Sequence, residues 1–267
     1  MPMPDPAAPP RGLGLARRAM LAFALLGGLA GAAAPGPARA AEALVAVAAN
    51  FADVARFLAA EYRAKTGHQV VVATGSTGKL YAQIVAGAPY DVLLSADAAR
   101  PARLEAEGRA VPGSRFTYAS GRLALWSADP DAIGADGAAT LRAGGFDRLA
   151  IANPKLAPYG LAARQVLERL DLWPALSDRL AMGQNIGQTH ALVATGAARL
   201  GLVAYAQVRM GVAGSVWLVP EALHDPISQD AVLLLHGADN PAAIGFLDYL
   251  NNGAARDYIR SRGYGTL

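Results

Sequence analysis

The 267 residues include no cysteine. That excludes disulfide scaffolds, thiol nucleophiles, thiolate zinc sites and iron–sulfur clusters, and also lipid anchoring through an N-terminal cysteine. Histidine is scarce as well. His68, His190, His224 and His236 are scattered without paired metal-ligand spacing, so each reads as a surface or packing residue. Charged residues make up only 17% of the chain against 53% hydrophobic, which excludes disorder and calls for a sizeable core. The formal charge of +3 belongs to the first 40 residues: four of the 24 bases (Arg11, Arg17, Arg18, Arg39) and one of the 21 acids (Asp5) lie there, leaving 20 of each. The neutral remainder offers no general surface for nucleic acid or an anionic membrane.

Only one stretch is long and apolar, Ala19 to Ala34. It follows the arginines at 11, 17 and 18 and precedes Pro35-Gly36-Pro37 and the small-residue site Ala38-Arg39-Ala40. At about 16 residues it is short for a span of roughly 20. It has the three parts of an export signal, here residues 1–40, with cleavage before Ala41, and Arg17-Arg18 lends it weak twin-arginine character. The expected product, 41–267, is a soluble, unanchored protein of the periplasm.

From Leu44 onward strands and helices alternate. Leu44–Ala48, Val70–Val72 and Asp91–Leu94 read as short buried strands. Phe51, Val54, Leu58 and Tyr62 recur at helical spacing up to Gly67, and further helices carry Leu80 and Ile84, then 98–107. The pattern restarts with strands at 149–151, 180–182, 200–203 and 216–219, with helices after Tyr159 and after Gly187, and closes with a strand at 231–235 and helices at 241–250 and 254–262. Strand–helix–strand at this spacing specifies right-handed crossovers and mostly parallel sheets flanked by helices. Extended stretches near 120–127 and 226–234 join the two α/β sets, so the expected architecture is two lobes with two crossings: 41–123 with 229–267, and 124–228. A ligand cleft then lies between them, at the carboxyl ends of the strands.

Four strand-to-helix junctions point at that cleft: Ala48-Ala49-Asn50, Thr74-Gly75-Ser76-Thr77-Gly78, Asn153-Pro154 through Ala157-Pro158-Tyr159-Gly160, and Gln184-Asn185-Ile186-Gly187. Each offers helix-start N–H groups with amide or hydroxyl donors, and none a mandatory positive charge. Taken singly, such residues are ordinary caps, with Asn50 read as an N-cap. Together they form an anion site built from dipoles and N–H groups. Gly75-Ser76-Thr77-Gly78-Lys79 is the most distinctive junction, its glycines letting backbone approach a ligand. It is no nucleotide P-loop, which needs four residues between the glycines and Ser or Thr after the Lys. Lys79 reads as a solvated helix residue. Asp91 and Asp97 read as loop and cap residues, and Tyr205 as either a cleft or a packing residue. No G-x-S-x-G elbow or other nucleophile constellation is present, so the chain is not read as an enzyme.

The same junctions carry a resemblance. Val47-Ala48-Ala49-Asn50-Phe51, Gly75 to Ile84, Gly87-Ala88-Pro89-Tyr90-Asp91-Val92, Ser95-Ala96-Asp97, Pro112 to Ala119, Asn153-Pro154, Ala157-Pro158-Tyr159-Gly160, Asn185-Ile186-Gly187-Gln188 and Gly201-Leu202-Val203 are similar to the periplasmic molybdate-binding proteins of ABC transporters. The resemblance implies a two-lobed type II periplasmic binding protein fold that closes on molybdate or tungstate, with an ABC permease as partner and no cofactor or direct metal-ion ligand. The chain is expected to act as a monomer. Carried over residue by residue, the ligand contacts are Asn50, Ala49, Ser76, Thr77, Tyr159 and Ile186. Some members of the family have serine where Asn50 stands and a tyrosine where Ala204 stands, so this chain fits a subgroup that uses Tyr159. Molybdate and tungstate are fully deprotonated near neutral pH and accept hydrogen bonds on every oxygen, which suits a donor-only shell. Sulfate, smaller but also all-acceptor, is the alternative ligand, and an exported enzyme acting on a small anionic substrate is the competing class.

Overall fold

The computed structural model describes residues 40–209, 211 and 213–265. The expected export signal lies outside them. The elements in chain order are β1 (Glu42–Ala48), α1 (Ala52–Thr66), β2 (Gln69–Gly75), α2 (Thr77–Val85), β3 (Val92–Leu94), α3 (Ala99–Ala106), β4 (Phe116–Gly121), β5 (Leu123–Ser127), α4 (Gly137–Ala143), β6 (Leu149–Ala152), α5 (Pro158–Arg169), α6 (Trp173–Leu176), β7 (Leu180–Gly183), α7 (Ile186–Ala194), β8 (Leu200–Ala204), α8 (Tyr205–Val208), β9 (Ser215–Leu218), β10 (Ile227–Leu233), α9 (Pro241–Leu250) and α10 (Gly253–Ser261).

They form two five-stranded sheets, in the orders β2-β1-β3-β10-β4 and β7-β6-β8-β5-β9. In the first, β1 pairs parallel with β2 and β3, whereas β10 runs antiparallel to both β3 and β4. In the second, β6 pairs parallel with β7 and β8, and β5 runs antiparallel to β8 and β9. Thus each sheet has four strands in one direction and a single opposed strand in fourth place. The opposed strands are the ones entered by crossing over. The chain passes from β4 to β5 through Arg122 alone and returns between Leu218 and Ile227.

Alternation along the strands divides the core between the two faces of each sheet. Val45, Val47 and Phe51 pack with Leu58 of α1 and Phe246 of α9, while Ala46 and Leu93 face Leu80 of α2 and Leu104 of α3. In the second sheet Leu149 and Ile151 pack against Val166 and Leu167 of α5, and Ala150 joins Trp126 and Val193 on the other face. Each fully buried large side chain contributes roughly 1.5–3 kcal/mol.

The short helix α4 has no counterpart in the sequence pattern. Its seven residues, Gly-Ala-Ala-Thr-Leu-Arg-Ala, carry too few apolar positions to show a period, and Asp136 initiates it by accepting from Ala138 N–H at 2.9 Å. Among the described residues no helix is long and apolar enough to cross a membrane.

Candidate functional site

At the carboxyl ends of β1, β2, β6 and β7 four helical segments begin. A 3₁₀ turn, Ala49–Phe51, follows β1; α2 follows β2; α5 and α7 follow β6 and β7. Their first residues close on a small cavity. Ala48, Ala49, Asn50, Gly75, Ser76, Thr77 and Ala96 line it from the side of the first sheet, and Ala157, Pro158, Tyr159, Asn185 and Ile186 from the second. The six residues expected to hold the ligand (Ala49, Asn50, Ser76, Thr77, Tyr159 and Ile186) all lie on this one wall. The cavity is about 10 Å³, far below the roughly 300–1,000 Å³ of ordinary organic-ligand pockets.

Among the described residues no Asp, Glu, Lys, Arg or His lines the cavity. Two of the lining hydroxyls, those of Thr77 and Tyr159, each accept a hydrogen bond from the protein. Thr77 Oγ1 accepts from Ala96 N–H at 3.1 Å, and the Tyr159 hydroxyl accepts from Gln229 Nε2 at 3.2 Å. Each has one proton left to donate. Helix starts leave their first N–H groups without intrahelical partners, and among the described residues those of Thr77 and Ile186 meet no protein acceptor. A buried wall of this kind can neutralise an anion without any ionised side chain.

Behind the wall lies a network that the sequence did not reveal. Gln229 on β10 is fully buried; its Oε1 accepts from Asn50 Nδ2 at 2.9 Å, and its Nε2 holds Tyr159. The Tyr118 hydroxyl donates to the Ser95 carbonyl at 2.9 Å, with Gln229 Oε1 at 3.1 Å. The Tyr264 hydroxyl donates to the Asn50 carbonyl at 2.8 Å. Phe51 is wedged between the rings of Tyr118 (4.7 Å) and Tyr264 (5.4 Å), edge-on to both, which immobilises the turn carrying Asn50. A β-bulge lies at the centre: Thr117 pairs with Asp230 and Ala119 with Gln229, leaving Tyr118 as the extra residue. The available clue was the polar run Ser228-Gln229-Asp230 just ahead of the apolar end of the closing strand.

Several expectations change. Asn50 is not an N-cap. It lies inside the 3₁₀ turn, and its amide turns back to Gln229. Ser76 is the N-cap residue of α2 but makes no capping bond, whereas Asn185 caps α7 by accepting from Gln188 N–H at 2.9 Å. Gly78 faces Leu156 rather than the cavity. Tyr205 opens α8 beneath the Arg122 guanidinium (5.2 Å) and lies off the cavity wall, and Lys79 is exposed. Asp91 accepts from Leu44 N–H and pairs with His236, while Asp97 pairs with Arg100 and caps its N–H. His190 stacks on Trp126, and no histidine joins a metal-binding cluster among the described residues.

Burial raises the pKa of Tyr159 above the ordinary tyrosine value, against a smaller opposing pull from the Gln229 and Asn50 hydrogen bonds. Tyr118 and Tyr264 are raised for the same reason. These folded-state values lie above the unfolded one of about 10, so the stability they contribute is complete below pH 10 and is lost as the pH rises past it. Stability and anion binding are therefore expected to stay level from about pH 7 to about pH 9.5 as far as the tyrosines govern them. Unfolding and binding titrations across that range check this; a loss centred near pH 8 would mean that some other group controls the site.

Two α/β lobes joined by two crossings, with a donor-lined cavity at facing strand ends, define a solute-binding protein. The chain belongs to the bacterial extracellular solute-binding protein family, whose model matches residues 43–265. It is 48% identical over 230 residues to the molybdate-binding protein ModA of Rhodobacter capsulatus, covering 86% of this chain and 90% of that one. It is 49% identical over 231 residues to ModA of Azotobacter vinelandii, covering 85% and 91%. The solved structure of the periplasmic molybdate-binding protein of Azotobacter vinelandii superimposes with a TM-score of 0.81 at 41% identity, over 84% of this chain and 99% of that one.

Proposed function

We propose that the protein captures molybdate or tungstate in this cavity and delivers it to an ABC permease, acting as a monomer in the periplasm. The observation carrying this reading is that the Thr77 and Tyr159 hydroxyls each accept from the protein and keep a proton to donate, while among the described residues no charged or acidic group shares the wall. Ser76 and Thr77 donate from one lobe and Tyr159 from the other, with the N–H groups of Ala49, Asn50 and Ile186; the Asn50 side-chain amide is itself engaged by Gln229 and Tyr264. The lobes are 41–123 with 229–267, and 124–228, in keeping with the changes of sheet at Arg122 and between β9 and β10. The choice of molybdate or tungstate over sulfate rests on the likeness to the molybdate-binding proteins; a smaller ion that left a buried donor unmade would lose about 1–3 kcal/mol for each. An enzyme would need a base to activate the Ser76 or Thr77 hydroxyl, and among the described residues the cavity lining includes no His, Asp, Glu or Lys, so capture and release is the reading proposed.

Thermal unfolding of the chain from Ala41 onward, with molybdate, tungstate, sulfate and phosphate added separately, tests this. At about 100 times its dissociation constant a bound ion adds roughly 2.7 kcal/mol, or roughly 5–10 °C for a chain of this size. The shift is expected with molybdate and tungstate and not with equal sulfate or phosphate. A shift with sulfate alone would replace the named ion, and no shift with any of them would remove the oxyanion reading.

A further inference from the structure

The cavity is closed by a backbone contact that uses no ligand atom. The N–H of Gly78, in the first turn of α2, donates to the carbonyl of Leu156 in the β6–α5 loop at 2.8 Å. One partner belongs to the first sheet's lobe and the other to the second's. Leu156 is held in place, since its own N–H donates to the Asn153 carbonyl at 3.0 Å and Asn153 Oδ1 accepts from Lys155 N–H at 3.0 Å. The approach depends on the missing side chain. A Cβ on residue 78 would lie 2.9 Å from the Leu156 carbonyl oxygen and 3.2 Å from its Cα. On its own lobe the same Cβ would lie 3.1 Å from Arg100 Nη2, and Arg100 is paired with Asp97. The atoms obliged to give way are backbone atoms of the opposite lobe.

We infer that Gly78 and the Leu156 carbonyl form a closure gauge that sets the separation of the lobes, making Gly78 a specificity-determining residue outside the cavity wall. The N–H···O bond forms only when the lobes stand at the distance that gives the cavity its present size. An ion too large holds the lobes apart and forfeits the bond; an ion too small permits the bond but leaves donors across the cavity unsatisfied. This inference rests on the oxyanion reading for the identity of the ion, but the contact itself can be tested without any ion.

The experiment compares wild type with Gly78→Ala, each carrying spin labels at Glu61→Cys and Arg142→Cys. These are exposed positions on α1 and α4, and the chain has no cysteine of its own to interfere. Inter-label distances are measured with and without molybdate, together with molybdate affinity, dissociation rate and ion-free melting temperature. Alanine is a better helix residue than glycine, so the ion-free melting temperature should hold or rise, which separates this role from a merely structural one. The expected result is a longer inter-label distance in the alanine variant, molybdate affinity lowered about ten-fold, on the scale of one buried hydrogen bond, and faster dissociation. Unchanged distances, affinity and dissociation in a variant of normal stability, beside a wild type that binds, would overturn the gauge and leave the oxyanion reading standing. If wild type bound no oxyanion but the distances still differed between the two proteins, the gauge would stand and the ligand assignment would fall. If it bound none and the distances matched, both would fall.

Discussion

Gln229→Glu should lower molybdate affinity at pH 7 by at least 100-fold, equivalent to about 2.8 kcal/mol, although Gln229 does not line the cavity. The substitution preserves size and the acceptor that Asn50 Nδ2 uses at 2.9 Å. What it removes is the donor to Tyr159. In the wild type Gln229 Nε2 occupies the acceptor side of that hydroxyl at 3.2 Å and so leaves its proton for a ligand. A carboxylate at 229 instead accepts the Tyr159 proton, withdrawing one donor from the anion. It also places a negative charge behind a cavity that must receive a dianion, a repulsion on the kcal/mol scale at short range in a partly buried site. A carboxyl that took up a proton to escape burial would make the loss shrink as the pH falls, so a titration in acid identifies the cause. The checks are calorimetric affinity for molybdate, with circular dichroism to confirm the fold. Affinity within three-fold of wild type would show that Gln229 does not set the direction of the Tyr159 proton.

On the proposed reading the cavity selects charge without carrying any. Among the described residues the wall holds no ionised group, so an anion there would be met by helix-start N–H groups and hydroxyl protons. Dipoles of this kind attract an anion only if they cannot turn around. Gln229 fixes Tyr159, Ala96 N–H fixes Thr77, and the Phe51 wedge fixes Asn50. Preorganisation of the dipoles replaces the arginine or lysine that a looser site would need, and it spares a buried cation the cost of desolvation when the cavity is empty.

Much of this was legible from local pattern. Strand and helix positions followed from hydrophobic period. The junctions carrying Asn50, Thr77, Tyr159 and Ile186 could be singled out because each links a strand to a helix, where an α/β fold places its ligands, and the resemblance supplied the individual residues; the structure gathers them around one cavity. The supporting layer was hidden because its contacts are long-range. Asn50 and Gln229 are 179 residues apart and Asn50 and Tyr264 are 214 apart, and no period or spacing connects them. The capping role assigned to Asn50 failed for the same reason, because the residue that redirects its amide arrives with the last strand. Gly78 was misread because a glycine at a helix start has two uses. Approach to a ligand and approach to another lobe look alike until the second lobe is in place.

Gly121 makes the dependence of the site on the crossing between the lobes measurable. It is the last residue of β4, one residue before the chain enters the second sheet. A Cβ there would collide with the Tyr159 hydroxyl, lie 2.7 Å from Gln229 Nε2 and 2.9 Å from Ile227 Cγ2. The glycine therefore provides the space in which the Tyr159–Gln229 bond forms. Gly121→Ala is expected to cost about 1–3 kcal/mol of stability through overpacking and to lower molybdate affinity at least ten-fold by displacing the Tyr159 hydroxyl. A double-mutant cycle separates this cause from general strain. Tyr159→Phe removes the atom that the new methyl strikes, so the stability cost of Gly121→Ala should shrink by 0.5 kcal/mol or more in the Phe background, the non-additivity expected of side chains in contact. Strictly additive losses would mean that Gly121 serves the crossing alone and that the hydroxyl can move without penalty.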